Sequence, residues 1–107
     1  MVNLKDFITE PILFSKTFDT HDKKEITLYI TNSKIYTTER KIQENKCANY
    51  IFNRNVISTV MCFESSLLGN HYCVQFNVDG KARSFDFPAT PEGEAVCDEV
   101  FTAFIKY

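Results

Sequence analysis

The chain has 107 residues, a length that suits one domain, residues 1–107, built around a single hydrophobic core. Its hydrophobic fraction of 44% and charged fraction of 24% are ordinary for a globular protein and argue against a disordered chain. The formal net charge of -2 offers no basic footprint for nucleic acid and disfavours binding to anionic membranes. We therefore expect no nucleic-acid partner.

The N-terminal residues lack the pattern of a targeting segment. Asp6 and Glu10 interrupt the apolar run that a secretory signal peptide needs, and no run elsewhere reaches the length of a transmembrane helix. A cytoplasmic location is the expectation that follows.

The four cysteines predict structural thiols rather than a chemical site. Cys47, Cys62, Cys73 and Cys97 lack the Cys-x-x-Cys spacing that zinc and thiol redox sites usually have. In a reducing cytoplasm a free cysteine behaves as a small apolar side chain. Cys47 lies in a polar stretch and is expected to be the most exposed of the four.

Residues 1–10 predict an N-terminal arm or short helix, because Leu4, Phe7 and Ile8 recur at helical spacing before Pro11. Beyond it, alternating apolar and polar residues between turn signals predict antiparallel strands over residues 11–88. Seven strands are expected, at about residues 12–18, 25–31, 34–38, 48–52, 56–64, 72–78 and 84–87. Residues 67–70 are expected to return the chain from the fifth strand to the sixth.

Turn residues predict how neighbouring strands are joined. Asn32 and Ser33 suit a two-residue hairpin turn, and Asp79-Gly80 is the strongest such signal in the chain. The fifth strand is apolar on both faces, which predicts a central position in its sheet. In the sixth strand alternation points one set inward, Tyr72, Val74, Phe76 and Val78, and the other outward, His71, Cys73, Gln75 and Asn77.

Residues 90–106 predict a C-terminal helix with a clear start. The Thr90 hydroxyl can cap free amides, Pro91 fits the first helical position, and Glu92 and Glu94 suit the positive end of the helix dipole. One apolar stripe follows, formed by Val96, Val100, Phe101, Phe104 and Tyr107. A helix with one apolar face packs on a sheet or over the open end of a barrel.

Two stretches carry a likeness to a known superfold. The hairpin Ile30-Thr-Asn-Ser-Lys-Ile35 and the stretch Ile51-Phe-Asn-Arg-Asn-Val-Ile-Ser-Thr-Val60, followed by the Asp79-Gly80 hairpin and a capped helix, resemble the pleckstrin-homology-like (PH-like) superfold. Small bacterial PH-like and GRAM-like domains are the most similar members. The likeness covers most of residues 11–106. It implies an α+β, mainly β fold: a seven-stranded antiparallel barrel or orthogonal sandwich capped by the C-terminal α-helix.

The resemblance and the absence of a catalytic constellation favour a non-enzymatic binding module. We expect it to act through a protein partner or through self-association. PH-like domains present two surfaces for this purpose, the variable loops at the open barrel end and the groove beside the terminal helix, where a strand could be added. The charged stretch between the third and fourth strands supplies the candidate partner-binding residues, Glu39, Arg40, Lys41, Gln43, Glu44 and Lys46.

Two other function classes remain open. Phosphoinositide-binding members of the superfold use clustered basic residues near the first two strands, so Lys16, Lys23 and Lys24 are the candidates for an acidic lipid headgroup. A small-ligand pocket or enzyme site inside the barrel is the third class, although ten Phe predict a filled interior. No glycine-rich phosphate loop occurs, and the stretch Asp19-Thr-His-Asp22 indicates a polar turn. No catalytic residue, metal site or cofactor is expected.

Overall fold

The computed structural model describes residues 2–66 and 70–107. Within these residues the chain forms seven strands and a C-terminal α-helix, with short 3-10 helices at Leu4–Phe7 and Arg54–Val56. The strands are β1 (Phe14–Asp19), β2 (Lys24–Ile30), β3 (Lys34–Lys41), β4 (Lys46–Asn53), β5 (Ile57–Ser65), β6 (His71–Val78) and β7 (Lys81–Pro88), and the helix is α1 (Pro91–Lys106). All strand pairs are antiparallel. The expected α+β, mainly β class with a C-terminal helix is confirmed.

The seven strands form two separate sheets. One has the order β1-β2-β3-β4 and the other the order β5-β6-β7. No ladder joins them in the part of the chain that the structure describes, so closure into a hydrogen-bonded barrel is not found. The short turn Arg54–Val56 leads directly from β4 into β5, and β5 pairs with β6 instead of extending the first sheet.

The core lies between the two sheets and α1. Ile26, Leu28 and Ile30 of β2 are fully buried, as their alternation predicts. Phe76 of β6 is the central aromatic residue, because its ring contacts three others, those of Phe52, Phe85 and Phe104. The Phe85 ring in turn contacts that of Phe18. Burying these aromatic and aliphatic side chains is the main stabilising contribution that the fold has available.

Helix α1 begins and packs much as its sequence indicates. The Thr90 hydroxyl accepts a hydrogen bond from the Gly93 amide at 3.0 Å, and Pro91 occupies the first helical turn. The helix contacts β5, β6 and β7. Its buried face is formed by Gly93, Cys97, Val100, Ala103 and Phe104, while Val96 and Phe101 lie at the margin of that face.

The N-terminal arm is attached to the first sheet through Glu10. Its carboxylate accepts hydrogen bonds from the hydroxyls of Thr31 and Ser33, which lie in the turn between β2 and β3. These bonds, that of Ser33 most of all, lower the pKa of Glu10. Leu4 of the 3-10 helix is buried, but Phe7, which shares its helical spacing in the sequence, is 60% exposed and does not pack on the core. A 3-10 turn of four residues is too short to bury both side chains.

Arg54, in the turn between the two sheets, holds two other parts of the chain. Its Nη1 donates hydrogen bonds to the backbone oxygens of Thr31, at 2.9 Å, and Tyr107, at 2.6 Å. Its backbone amide donates to the carbonyl of Ser33 at 2.9 Å. The junction of the sheets, the turn between β2 and β3 and the end of α1 therefore meet at one residue.

Three further details differ from the sequence-based expectations or fall beyond them. β5 lies at the edge of its sheet instead of its centre, because apolar residues on both faces do not specify a second neighbour. Cys73 was expected to face outward, yet it is only 4% exposed, because Phe63 and Asp86 lie directly across from it on the adjacent strands. Of the expected turn at residues 67–70, residues 67–69 lie outside the described part of the chain.

Candidate interaction surface

The outer edge of β5 is the first candidate surface. This nine-residue strand pairs with β6 on one side, and no other described strand pairs with its second side. An unpaired edge presents backbone N–H and C=O groups that another strand can bind. The ladder to β6 is irregular between Ile57 and Val60 and regular from Val60 to Ser65, so the second half of β5 is the better template.

The sequence of β5 lacks the residues that usually protect a sheet edge. Lysine and proline discourage edge pairing. Of the four edge strands among the described residues, β1 carries Lys16, β4 carries Lys46, and β7 carries Lys81, Arg83 and Pro88. β5 has no basic residue and no proline, and Glu64 is its single charged residue. It is therefore the least protected of these edges.

The edge strand β5 also exposes two apolar side chains that a partner could contact. Met61 is 41% exposed and Phe63 is 38% exposed, and residues two apart on a strand share a face. Cys62, between them, points to the opposite face, where its Sγ lies 3.4 Å from the Sγ of Cys97 in α1. The exposed apolar side chains thus lie on the face of β5 that α1 does not cover.

The predicted partner-binding residues lie at the end of the hairpin formed by β3 and β4. Most belong to the strand ends, since β3 continues to Lys41 and β4 begins at Lys46. A cavity of about 430 Å³ on this hairpin is lined by three of them, Glu39, Lys41 and Lys46, together with Cys47, Ala48 and Tyr50. The structure therefore brings together half of the predicted set around one depression.

The other members of that set are placed differently. Arg40 lies between Glu39 and Lys41 in β3 and projects from the opposite face. Gln43 and Glu44 are in the hairpin tip, where the Glu44 carboxylate is 4.0 Å from the Nζ of Lys41 and 3.8 Å from that of Lys46. Such exposed ion pairs contribute little free energy, and they neutralise part of the local charge. The hairpin tip carries charges of both signs, so it favours neither an anionic nor a cationic ligand.

The three lysines considered for a lipid headgroup do not form one basic cluster. Lys16 is 2.7 Å from the carboxylate of Glu99 in α1. Lys24 is 3.2 Å from the carboxylate of Asp22. Burial alone would lower the pKa of Lys24, but the hydrogen bond and charge of Asp22 outweigh it and raise the pKa. Lys23 and Lys24 line a depression of about 280 Å³ that also contains Asp22, Lys41, Gln43 and Glu44.

Two contacts between distant residues escape sequence reasoning. The rings of His21 and His71 stack at 5.2 Å, and the Nε2 of His71 is 3.5 Å from the Asp86 carboxylate. Burial, followed by the neighbouring Asp86, raises the pKa of Cys73 to about 12. Among residues 2–66 and 70–107, no three His, Cys, Asp or Glu side chains are arranged to hold a metal ion.

The exposure of the cysteines also differs from the sequence-based expectation. Cys62 is the exposed one, Cys47 is half-buried, and Cys73 and Cys97 are buried. Cys47 becomes half-buried because it lies in β4 instead of a loop, whereas Cys62 lies in the edge strand β5. Only the strand order, which the sequence does not provide, could have identified this difference.

Comparison with known proteins gives this chain no relative. No protein-family model, curated protein or solved structure matches it. In the described part of the chain, no helix has the length and apolar character needed to cross a membrane.

Proposed function

We propose that this chain is a PH-like binding module without enzymatic activity, and that it acts by pairing with a second copy of itself through β5. The PH-like assignment is supported by the element order, in which seven antiparallel strands precede one C-terminal helix. It is also supported by the packing of α1 on the sheet of β5, β6 and β7. Function does not follow from a fold, so the surface carries the rest of the proposal.

The observation that carries the proposal is the unprotected edge of β5. Its unpaired side has no lysine, arginine or proline, and it displays Met61 and Phe63. A protein that had to stay monomeric would be expected to place a lysine or arginine here, as the other three edges of the described strands do.

A second copy of the chain fits this edge because the pairing is self-complementary. Antiparallel pairing of β5 with β5 around a two-fold axis perpendicular to the sheet joins two three-stranded sheets into one of six strands. Met61 and Phe63 of both copies then lie on one face and bury apolar area against each other. Glu64 is the single like charge that such a pairing brings near the ladder.

Binding to an acidic headgroup is the competing function, and the charges disfavour it. Lys16 and Lys24 each have a carboxylate within salt-bridge distance, and Lys23 and Lys24 share their depression with Asp22 and Glu44. A headgroup would have to compete with these acidic side chains for the same ammonium groups.

Light scattering coupled to size-exclusion chromatography, run over a concentration series, tests the proposal. The expected mass is twice the 12.4 kDa of the chain, dissociating on dilution. The double variant Met61→Lys, Phe63→Lys should be monomeric at every concentration, because both substitutions place a charge beside the pairing edge. Ile51→Lys is the matched control, since Ile51 is an apolar strand residue in β4 that is 52% exposed.

Amide hydrogen exchange supplies a second measurement. Backbone amides of Val60–Glu64 should become more protected as the concentration rises, whereas those of β4 should not change. A wild-type chain that stays monomeric over the whole series would overturn the proposal, as would a double variant that dimerises as well as the control. A monomer that floats with phosphatidylserine vesicles, and loses binding in Lys23→Ala, Lys24→Ala, would establish the headgroup function in its place.

A further inference from the structure

The contact between Cys62 and Cys97 joins two residues that lie 35 positions apart in the sequence. Cys62 is in β5 and Cys97 is in α1, and their Sγ atoms are 3.4 Å apart. A disulfide bond is roughly 2.0 Å long, so the two sulfurs must approach each other further for the bond to form.

The two thiols differ in access. Cys62 is exposed at the open edge of β5, whereas Cys97 is only 1% exposed under the helix. Burial, and then the hydrogen bond with Cys62, raises the pKa of the Cys97 thiol. A water-soluble oxidant therefore reaches Cys62 first, and Cys97 is positioned to react with the product.

The other two cysteines are not placed to take part. Cys73 faces the opposite side of the sheet, since it pairs across the ladder with Phe63, whereas Cys62 pairs with Val74. Cys47 lies in β4, in the other sheet. The arrangement thus holds one accessible thiol and one buried partner.

We propose that Cys62 and Cys97 form a reversible oxidation site that closes to an intramolecular disulfide when the chain meets a peroxide. The Cys62 sulfur attacks hydrogen peroxide, gains one oxygen to become a sulfenic acid, and releases water. The Cys97 sulfur then attacks the Cys62 sulfur, the S–O bond breaks, an S–S bond forms and a second water leaves. Two thiols are oxidised by two electrons in total, and one peroxide is reduced to two waters. A dithiol reductant reverses the change.

The disulfide would tie the edge strand β5 to α1. A cross-link across a loop of this length restricts the unfolded chain and so stabilises the folded one. This inference rests on the sulfur contact and on the exposure of Cys62, and it does not depend on self-association.

Titration of the reduced, purified chain with hydrogen peroxide tests the site. Thiol counting in denaturant should fall from four to two per chain, and non-reducing peptide mapping should find the Cys62–Cys97 cross-link. The melting temperature should rise on oxidation and return after dithiothreitol. Cys47→Ser is the matched control and should behave as the wild type does.

Two variants separate the two steps. In Cys97→Ala the sulfenic acid of Cys62 has no partner and should accumulate, where dimedone traps it; in the wild type dimedone should trap far less. In Cys62→Ser, which alters an exposed side chain, Cys97 should stay reduced and the melting temperature should not respond to peroxide. The proposal is overturned if wild-type Cys62 proceeds to sulfinic acid while Cys97 remains a thiol, or if the cross-link joins two chains instead.

Discussion

The guanidinium carbon of Arg83 lies 4.4 Å from the centre of the Tyr50 ring. It is also 5.2 Å from the centre of the Phe52 ring, which stacks parallel to that of Tyr50. Arg83 belongs to β7 and the two aromatic residues belong to β4, so this cation–π contact crosses from one sheet to the other.

Arg83→Lys is expected to lower the free energy of unfolding by about 0.5–1 kcal/mol, because lysine keeps the charge but loses the planar group that covers both rings. Urea unfolding followed by circular dichroism measures the change. Lys81→Met provides the control, since Lys81 is an exposed cation on the same strand and should have almost no effect. An Arg83→Lys variant as stable as the wild type would show that the planar guanidinium contributes nothing beyond its charge.

Gly93→Ala is expected to destabilise the chain although it lies within a helix. Alanine normally favours a helix over glycine, but a Cβ at Gly93 would fall on the backbone carbonyl of Pro88, well inside van der Waals contact. Relief requires a shift of the helix start relative to β7, at a cost of roughly 1–3 kcal/mol. Thermal unfolding gives the measurement.

Gly80→Ala separates steric crowding from backbone preference. Gly80 has a φ of +79° in the hairpin turn, and a Cβ there would meet no atom within 4 Å. The Gly80→Ala variant should lose only the free energy of the left-handed backbone, about 1 kcal/mol.

A Gly93→Ala variant that is as stable as the wild type would contradict the close contact between α1 and β7.

Thr90→Ala removes the side chain that caps α1. The Gly93 amide would lose its 3.0 Å hydrogen bond, which should cost about 1 kcal/mol of unfolding free energy. Thr90→Ser keeps the hydroxyl and should recover most of the loss. Denaturant unfolding compares the three chains, and equal stability of the alanine and serine variants would show that the hydroxyl has no capping role.

The Glu10 carboxylate predicts a stability change in acid. Because the hydroxyls of Ser33 and Thr31 lower its folded-state pKa, the ionised form contributes stability that is fully present above about pH 4.5, its ordinary value. That contribution is lost as the pH falls through the lower folded-state pKa. The stability difference between wild type and Glu10→Gln should therefore be constant at neutral pH and shrink below about pH 4.5.

Carboxyl titration by NMR checks the cause of that change. In Ser33→Ala the pKa of Glu10 should move back toward its ordinary value, since the largest contribution is then absent. An unchanged titration would mean that the arm does not rest on the turn between β2 and β3 in solution.

Local sequence signals predicted those parts of the fold that depend on local chemistry. The burial of Ile26, Leu28 and Ile30 follows from a period of two, and the start of α1 follows from Thr90 and Pro91. These features need no information about distant residues, which is why the strand positions and the helix could be predicted closely.

The candidate surface could not be predicted in the same way. Periodicity assigns Met61 and Phe63 to one face of β5, but it does not say which strands lie beside β5, and the edge position depends on that alone. The contacts of Cys62 with Cys97 and of His21 with His71 likewise join residues far apart in sequence. These contacts are set by how α1 and the sheets pack against each other, so the spacing of the residues in the sequence could not predict them.

The hydrogen bonds of Arg54 have a consequence for how the molecule comes apart. Its guanidinium holds the carbonyls of Thr31 and Tyr107 together, at the point where the chain passes from one sheet to the other. Separating the sheets must therefore release the last turn of the helix in the same event. The whole domain should melt in one cooperative transition, without a populated intermediate in which either half persists alone.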